Sequence, residues 1–180
     1  MKEEPVDILD ESMNKTGQTM LKSEAHAQSL RHGGAHIWIY NSKGDVLMQL
    51  RSPKKLIRPN IWDVSVAGHI SAGKTPIQTV VVEAKEELGL DVNPDTLVFL
   101  GNTSIDDEMD GWRHRVFLWV YALKMELNPS KLKLEEAETA AVKWVNLNTL
   151  ATELANPKFK NKYAPTLQSY ILAINEIPEL

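Results

Sequence analysis

The stretch GHISAGKTPIQTVVVEAKEELGL, residues 68–90, combines a glycine-rich start with a tight group of glutamates at its end. Thr75 is a good helix N-cap, a proline follows at the first helical position, and Gln78 completes a capping box with Thr75. Gly89 suits the position just beyond a helix C-terminus. These signals predict a helix over about 76–88.

The predicted helix has an apolar face and a separate acidic face. At 100° per residue one stripe is apolar, comprising Ile77, Val80, Val81, Ala84 and Leu88. Glu83, Glu86 and Glu87 lie on another arc, where three carboxylates raise one another's pKa unless a cation lies among them. Oxygen ligands at this density are what Mg²⁺ or Mn²⁺ prefers. Surface helices often carry such strings, so the motif taken alone favours a solvated acidic face.

Composition restricts the class of protein. The 180 residues suffice for one domain with a core, and 43% hydrophobic with 24% charged residues is typical of a soluble globular protein. The net charge of −4 gives no basis for nucleic-acid binding. No apolar run is long enough to span a membrane. The lack of cysteines excludes thiolate chemistry and disulfides and, with no signal-peptide core, predicts a cytoplasmic protein.

The remaining chain predicts an α/β fold with a mixed sheet flanked by helices. An N-terminal extension over 1–30 reads as a β-hairpin followed by a short helix or loop, and the main domain over 31–180 includes a C-terminal helix. Further strands are predicted in AHIWIY, DVLMQLRS, IWDVSVAGHI, TLVFLGNTSI, RHRVFLWVYALKM and AAVKWVNL. The first two form a hairpin, and DDEMDGW reads as an acidic loop.

The C-terminal helix is predicted from Tyr163 onward, with Pro165 in its first turn. Its apolar face comprises Tyr163, Leu167, Tyr170, Ile171 and Ile174.

The strand–loop–helix arrangement resembles the Nudix box. That pattern runs glycine, five residues, glutamate, seven residues, Arg-Glu, a hydrophobic residue, any residue, Glu-Glu, any residue, glycine and a hydrophobic residue. Gly68, Glu83, Glu86 and Glu87 match, as does the Gly-Leu pair at 89–90. The resemblance implies a Nudix α/β/α sandwich over roughly 30–155. It also implies divalent-metal binding by the three glutamates and the Gly68 carbonyl.

Two positions depart from the box. Lys74 replaces its first glutamate and Val82 its arginine, a pair that in the family holds the metal-binding glutamates in place. Losing both leaves no buried charge unpaired, but it loosens the support of Glu83. A catalytically weakened ligand-binding module is therefore an alternative to an enzyme.

The resemblance implies hydrolysis of a nucleoside diphosphate linked to another group, or of a similar small diphosphate. Glu86, Glu87 or Glu138 is the candidate general base. Arg51 matches a frequent Nudix arginine that grips phosphate. Lys54, Lys55 and Arg58 follow it in a basic loop and could assist. Trp62, Trp112 and Tyr121 are candidates for base stacking, with core packing favoured for Trp62 and Tyr121.

A narrower resemblance is to the Nudix branch that contains isopentenyl diphosphate isomerase. His32 and His69 match two ligands of a histidine-containing metal site in those enzymes, whereas His26 falls near a third but out of register. A structural role is favoured for His32 and His69. The isomerase cysteine is Ala67 here, so isomerisation is the least favoured function. The N-terminal hairpin and C-terminal helix lie outside the box and could build a homodimer; the sequence does not identify the substrate.

Overall fold

The computed structural model describes residues 3–55, 57–109, 112–159 and 161–180, without the side chains of Met109 and Trp112. The predicted stacking role of Trp112 therefore lies outside the described residues. Within them the strands are β1 Pro5–Leu9, β2 Lys15–Leu21, β3 His32–Tyr40, β4 Asp45–Arg51, β5 Trp62–Asp63, β6 Val66–His69, β7 Val98–Met109, β8 Trp112–Lys124 and β9 Thr139–Asn146. The α-helices are α1 Lys22–Ala27, α2 Pro76–Leu88, α3 Leu147–Leu154 and α4 Leu167–Glu176. None of the described helices is long and apolar enough to cross a membrane.

The sheet is mixed and is organised around β3. One edge of β3 pairs in parallel with β8 along its whole length. The other edge pairs with β1 at Ile8, with the whole of β6, and with β4 at a single position. Strand β4 then pairs with β5 and with β9. The predicted mixed sheet is confirmed.

Helices cover both faces of this sheet, as the α/β/α prediction requires. On one face α2 buries Val80, Ala84 and Leu88 against the sheet. On the other face, Leu150 of α3 and Tyr170 of α4 join a second cluster. The side chains of β3 and β4 alternate between these two clusters, which is the period-2 pattern of a strand buried on both faces.

The β3–β4 hairpin forms only at its turn. Tyr40 opposite Val46 is the one β3–β4 pair. Beyond it the strands diverge, because Ser65 lies between them. The Ser65 hydroxyl accepts from Ile39 N at 2.9 Å and donates to Leu47 O at 2.5 Å, so it replaces the missing ladder contact. The predicted hairpin is therefore correct in its turn and wrong in its pairing.

The acidic segment before residue 110 is strand and not loop. In β7, Asp106 lies opposite Arg115 and Glu108 lies opposite Arg113. Opposite charges at facing positions stabilise an antiparallel pair, so acidic residues that resemble a loop extend the strand here.

The C-terminal region also differs from prediction. Helix α3 was not predicted, although Asn146 caps it by accepting from two backbone N–H groups. Helix α4 begins at Leu167, four residues later than predicted. Its buried face centres on Ser169, Tyr170 and Ala173, whereas Leu167 and Ile171 are exposed.

A buried polar contact explains that choice of face. The Ser169 hydroxyl accepts from Trp38 Nε1 at 3.1 Å and lies 3.0 Å from His36 Nδ1. The indole N–H can only donate, so the serine oxygen accepts from Trp38, and the tautomer of His36 sets the direction of its contact with Ser169. This network ties α4 to β3 on the face of the sheet opposite to α2.

The N-terminal extension is a hairpin, as predicted, and the following segment is the helix α1. The hairpin joins the main sheet through Ile8 opposite His32 and through a bridge between Val6 and Ser71. It therefore lies beside the loop that leads into α2. The boundary at residues 30 and 31 stays a prediction.

Candidate functional site

Helix α2 has the predicted bounds and caps. Thr75 and Gln78 form the capping box, and Gly89 adopts a left-handed conformation with φ of 69°. The three glutamates occupy the last two turns with different exposure: Glu87 is buried and Glu86 is exposed. Glu83 is intermediate between them. The acidic face is therefore graded from solvent to core, unlike a uniformly solvated helix face.

Gly68 and Glu83 are in direct contact. Gly68 lies in β6 opposite Ala35 of β3, and its Cα faces the Glu83 carboxylate so closely that an added Cβ would overlap that carboxylate. The glycine is required here by the close approach. The contact places the Glu83 carboxylate against the backbone of β6, where a carbonyl and a carboxylate could share a cation.

Glu87 is held from two sides. Its Oε2 accepts from Gln49 Nε2 at 3.2 Å and from Ala67 N at 3.4 Å. Gln49 was not predicted as a site residue. The only sequence signal is one polar residue inside the apolar run of β4, and its partner lies 38 residues away.

Burial makes this carboxylate pair unusually basic. Burial, and then the charges of Glu86 and Glu138, raise the pKa of Glu83 to about 7. Burial, and then the charge of Glu83, raise the pKa of Glu87 well above its usual value. Among the described residues no ion pair within 4 Å involves Glu83, Glu86 or Glu87.

The donor set fits a hard divalent cation. Buried like charges without a cationic partner are costly, and a Mg²⁺ or Mn²⁺ ion among them removes that cost. All the ligands on offer are oxygens, and the close approach at Gly68 allows no side chain between the carboxylate and the strand.

Glu138 lies near the same carboxylates. It contributes to the raised pKa of both Glu83 and Glu87, which places its charge close to them. The loop that carries it is tied to α2 by Glu135 N donating to Glu87 O at 3.1 Å, and to β4 by Ser52 N donating to Glu138 O at 2.8 Å. The carboxylate of Glu138 pairs with Lys55.

The two predicted phosphate-binding arginines are engaged in holding their own loop. Arg51 donates to Arg58 O at 3.0 Å and to Ile57 O at 2.9 Å. Arg58 pairs with Asp107 of β7. The basic loop is thereby fastened over the sheet next to Lys55, while phosphate binding by Arg51 and Arg58 stays a prediction.

The two box departures lie on the outer side of α2. Lys74 is exposed and Val82 is 41% exposed, and both line one shallow surface groove with Ile77 and Pro94. Both positions therefore border the same groove. Of the aromatic candidates, Tyr121 is buried in the core as favoured, and Trp62 is partly buried under Lys143 Nζ, which lies 4.0 Å from its ring.

Four histidines meet beside Gly68. His32 and His69 stack with ring centroids 5.2 Å apart. The ring centroid of His26, in α1, lies 4.6 Å from that of His32. The sequence had placed His26 near, but out of register with, a third histidine ligand. His114 of β8 was not predicted from the sequence, and its ring centroid lies 4.9 Å from that of His26. One nitrogen of each of His26, His69 and His114 lies within 4.8 Å of the other two.

These imidazoles are in the form that binds metals. Burial lowers the pKa of all four, of His26 to about 4 and of His114 to about 3, so they are neutral near pH 7. His32 Nδ1 lies 3.1 Å from Leu30 O, which fixes its proton on that nitrogen. The buried Nε2 atoms of His32 and His69 have no hydrogen-bond partner among the described residues.

The NUDIX domain profile matches residues 30–169, so the chain belongs to the Nudix family of hydrolases. It is 31% identical over 159 residues to an uncharacterised Nudix hydrolase of Clostridium acetobutylicum, covering 87% of this chain and 76% of that one. It is 28% identical over 148 residues to the isopentenyl-diphosphate Delta-isomerase of Escherichia coli, covering 82% of this chain and 79% of that one.

Two further similarities concern length and fold. The chain is 36% identical over 153 residues, 81% of its length, to Nudix hydrolase 3 of Arabidopsis thaliana, but it spans only 19% of that protein. A crystal structure from Deinococcus radiodurans superimposes with a TM-score of 0.69 at 22% identity, covering 94% of this chain and 97% of that one. The predicted Nudix α/β/α fold is confirmed.

The raised pKa of Glu83 predicts a pH dependence of stability for the metal-free protein. The folded chain holds a proton on Glu83 up to about pH 7, whereas the unfolded chain releases it near 4.5. The resulting stabilisation is complete below about 4.5 and is lost as the pH rises through about 7, at a cost of up to about 3 kcal/mol.

The measurement is urea unfolding of wild type and Glu83→Gln in a chelator between pH 5 and pH 8. The variant is needed because the buried histidines, with lowered pKa values, change stability in the opposite direction at the acid end. We expect the wild type to lose stability relative to Glu83→Gln as the pH rises. Parallel curves would contradict the burial of this carboxylate.

Proposed function

We propose that the chain is a Mg²⁺-dependent pyrophosphohydrolase acting on a nucleoside diphosphate linked to another group, or on a similar small diphosphate; Mn²⁺ is the alternative cation. The observation that supports it best is the pair of inward carboxylates, Glu83 against Gly68 and Glu87 beside Gln49, which also feel the charge of Glu138. Nudix enzymes generally use divalent cations. Membership of the family supports the reaction class.

In this proposal Glu83, Glu86, Glu87 and the Gly68 carbonyl hold the cation. When bound, it neutralises diphosphate oxygens and acidifies a water for attack on phosphorus. Glu87 has one oxygen engaged by two N–H donors, which leaves Oε1 to bind the cation or to accept a proton. Glu86 and Glu138 are more exposed and are the candidates to accept the proton of the attacking water.

The basic loop provides the complementary charge. Lys55 pairs with Glu138 and stands at the entrance to the acidic cluster, where an arriving phosphate would compete for it. Arg51 and Arg58 keep this loop closed over the sheet and contribute positive potential to the same side. A small anionic substrate is the partner this arrangement suits; a cytoplasmic location and a homodimer stay predictions from the sequence.

Isomerisation has no support from the residues present. Ala67 occupies the position of the isomerase cysteine, the chain contains no cysteine, and the Ala67 backbone N–H serves Glu87. The similarity to the isomerase therefore concerns the scaffold.

Hydrolysis is tested with a panel of nucleoside diphosphate conjugates and small diphosphates, with Mg²⁺ and with chelator. We expect release of a monophosphate product by the wild type and a loss of at least about 100-fold in Glu87→Gln, which removes a charge from the metal site. Lys85→Gln, on an exposed position of the same helix, is the control and should retain activity. A panel without turnover under both Mg²⁺ and Mn²⁺ would contradict the proposal.

The binding-module alternative rests on Lys74 and Val82. If these replacements weaken catalysis, Lys74→Glu combined with Val82→Arg should raise turnover about 10-fold or more, because the restored ion pair fixes the glutamate-bearing helix. Each single change is the control and should have no such effect. Ligand binding by calorimetry without turnover in either protein would favour the binding module; an inert double variant would show that the departures do not limit catalysis.

We further propose that the histidine cluster binds one transition-metal ion. Neutral imidazoles at this spacing suit Zn²⁺ or Co²⁺ and not Mg²⁺, and the His32 Nδ1 contact to Leu30 O is the outer hydrogen bond typical of a ligating histidine. The unpartnered Nε2 atoms favour this over the structural role that the sequence suggests.

The test is Co²⁺ titration followed by visible absorption, with zinc content measured by mass spectrometry. The visible absorption of nitrogen-bound Co²⁺ should saturate at one equivalent in wild type and in Glu87→Gln, and it should be absent from His69→Ala and His114→Ala. Equal metal content in wild type and the histidine variants would return these residues to a structural role.

A further inference from the structure

Gln49 is a polar residue in an apolar layer. It lies in β4 on the same face as Leu47, which packs into the cluster beneath α2, and it is only 2% exposed. An amide buried among apolar side chains is costly unless both of its ends are hydrogen-bonded. Its partners therefore show why a polar side chain is kept at this position.

Both ends of the amide are occupied by residues of the candidate site. Nε2 donates to Glu87 Oε2 at 3.2 Å, and Oε1 accepts from Thr139 Oγ1 at 2.6 Å. Thr139 is 1% exposed and directly follows Glu138. The ionised carboxylate can only accept, so it faces the Nε2 end of the amide, and the amide oxygen is left to accept the Thr139 hydroxyl proton.

The same carboxylate oxygen receives a second donor. Ala67 N lies 3.4 Å from Glu87 Oε2, on the strand that also carries Gly68. Two N–H groups on Oε2 leave Oε1 as the oxygen available to a cation. A carboxylate fixed in this way is a one-oxygen ligand of set direction.

We propose that Gln49 is a positioning residue: it holds Glu87 in its metal-binding orientation and, through Thr139, links that ligand to the loop bearing Glu138. Thr139 acts only through Gln49. The inference rests on the proposed function, because it presumes that Glu87 is a metal ligand, and it adds two residues outside the Nudix box to the site.

The test measures Mn²⁺ affinity from the free-ion signal in electron paramagnetic resonance, which requires no substrate. Binding at the glutamates is defined as the part of the Mn²⁺ binding that is lost in Glu87→Gln. Gln49→Met keeps the volume of the side chain and removes both hydrogen bonds. We expect it to weaken Mn²⁺ binding at least about 10-fold, and Thr139→Val to weaken it less, since the amide stays but is no longer oriented.

The double variant distinguishes positioning from packing. Because Thr139 acts through Gln49, Gln49→Met with Thr139→Val should bind Mn²⁺ no more weakly than Gln49→Met alone. Ser169→Ala is the matched control: it breaks an equally buried network on the opposite face of the sheet and should lower the unfolding midpoint without changing Mn²⁺ affinity. All affinities are measured well below each variant's unfolding temperature.

Failure of the positioning role and failure of the metal site give different results. Unchanged Mn²⁺ affinity in Gln49→Met, or additive losses in the double variant, would overturn the positioning role while leaving the metal site intact. If Gln49→Met does not fold, an unchanged affinity in Thr139→Val overturns it equally. Mn²⁺ binding that is insensitive to Glu87→Gln would overturn the proposed metal site itself, and the role of Gln49 with it.

Discussion

The site depends on the close approach of the α2 helix to strand β6 at Gly68. The hydrogen of glycine is the largest side group that fits between the Gly68 Cα and the Glu83 carboxylate. Because the helix approaches the strand this closely, the Glu87 side chain reaches the interior and is buried. Burial then makes both carboxylates costly to ionise. A hard cation removes this cost, so the same contact that packs the helix also prepares the metal site.

The rest of the fold maintains that approach. Ser65 holds β3 and β4 apart at the level of Leu47 and leaves the edge of β3 free to pair with β6. Gln49 and Ala67 then bring N–H groups to one oxygen of Glu87. Gln49 and Ser65 are thus polar residues inside an apolar layer, and each has a defined partner: Gln49 serves a carboxylate and Ser65 bridges diverging strands.

Local chemistry made much of this predictable. The capping residues of α2 are close to one another in sequence, so the bounds of the helix could be predicted from them. The Nudix box lies in the same short stretch and could be recognised there. Contacts between distant residues were not predictable. Gln49 meets Thr139 across 90 residues, and His114 joins His26 only because β8 runs beside β3. The acidic end of β7 resembles a loop until the arginines opposite it in β8 are known. Side-chain partners in tertiary contact, and not local propensity, decide these cases.

The central claim is that the glutamate cluster and the Gly68 carbonyl surround one divalent cation. Crystals grown with Mn²⁺ and measured near the manganese absorption edge would locate it directly. The account predicts an anomalous peak between Glu83, Glu87 and the Gly68 carbonyl oxygen, with ligand distances near 2.2 Å, about those of hard cations with oxygen ligands. An empty position there in crystals that bind Mn²⁺ elsewhere, with Glu83 and Glu87 unmoved, would contradict it.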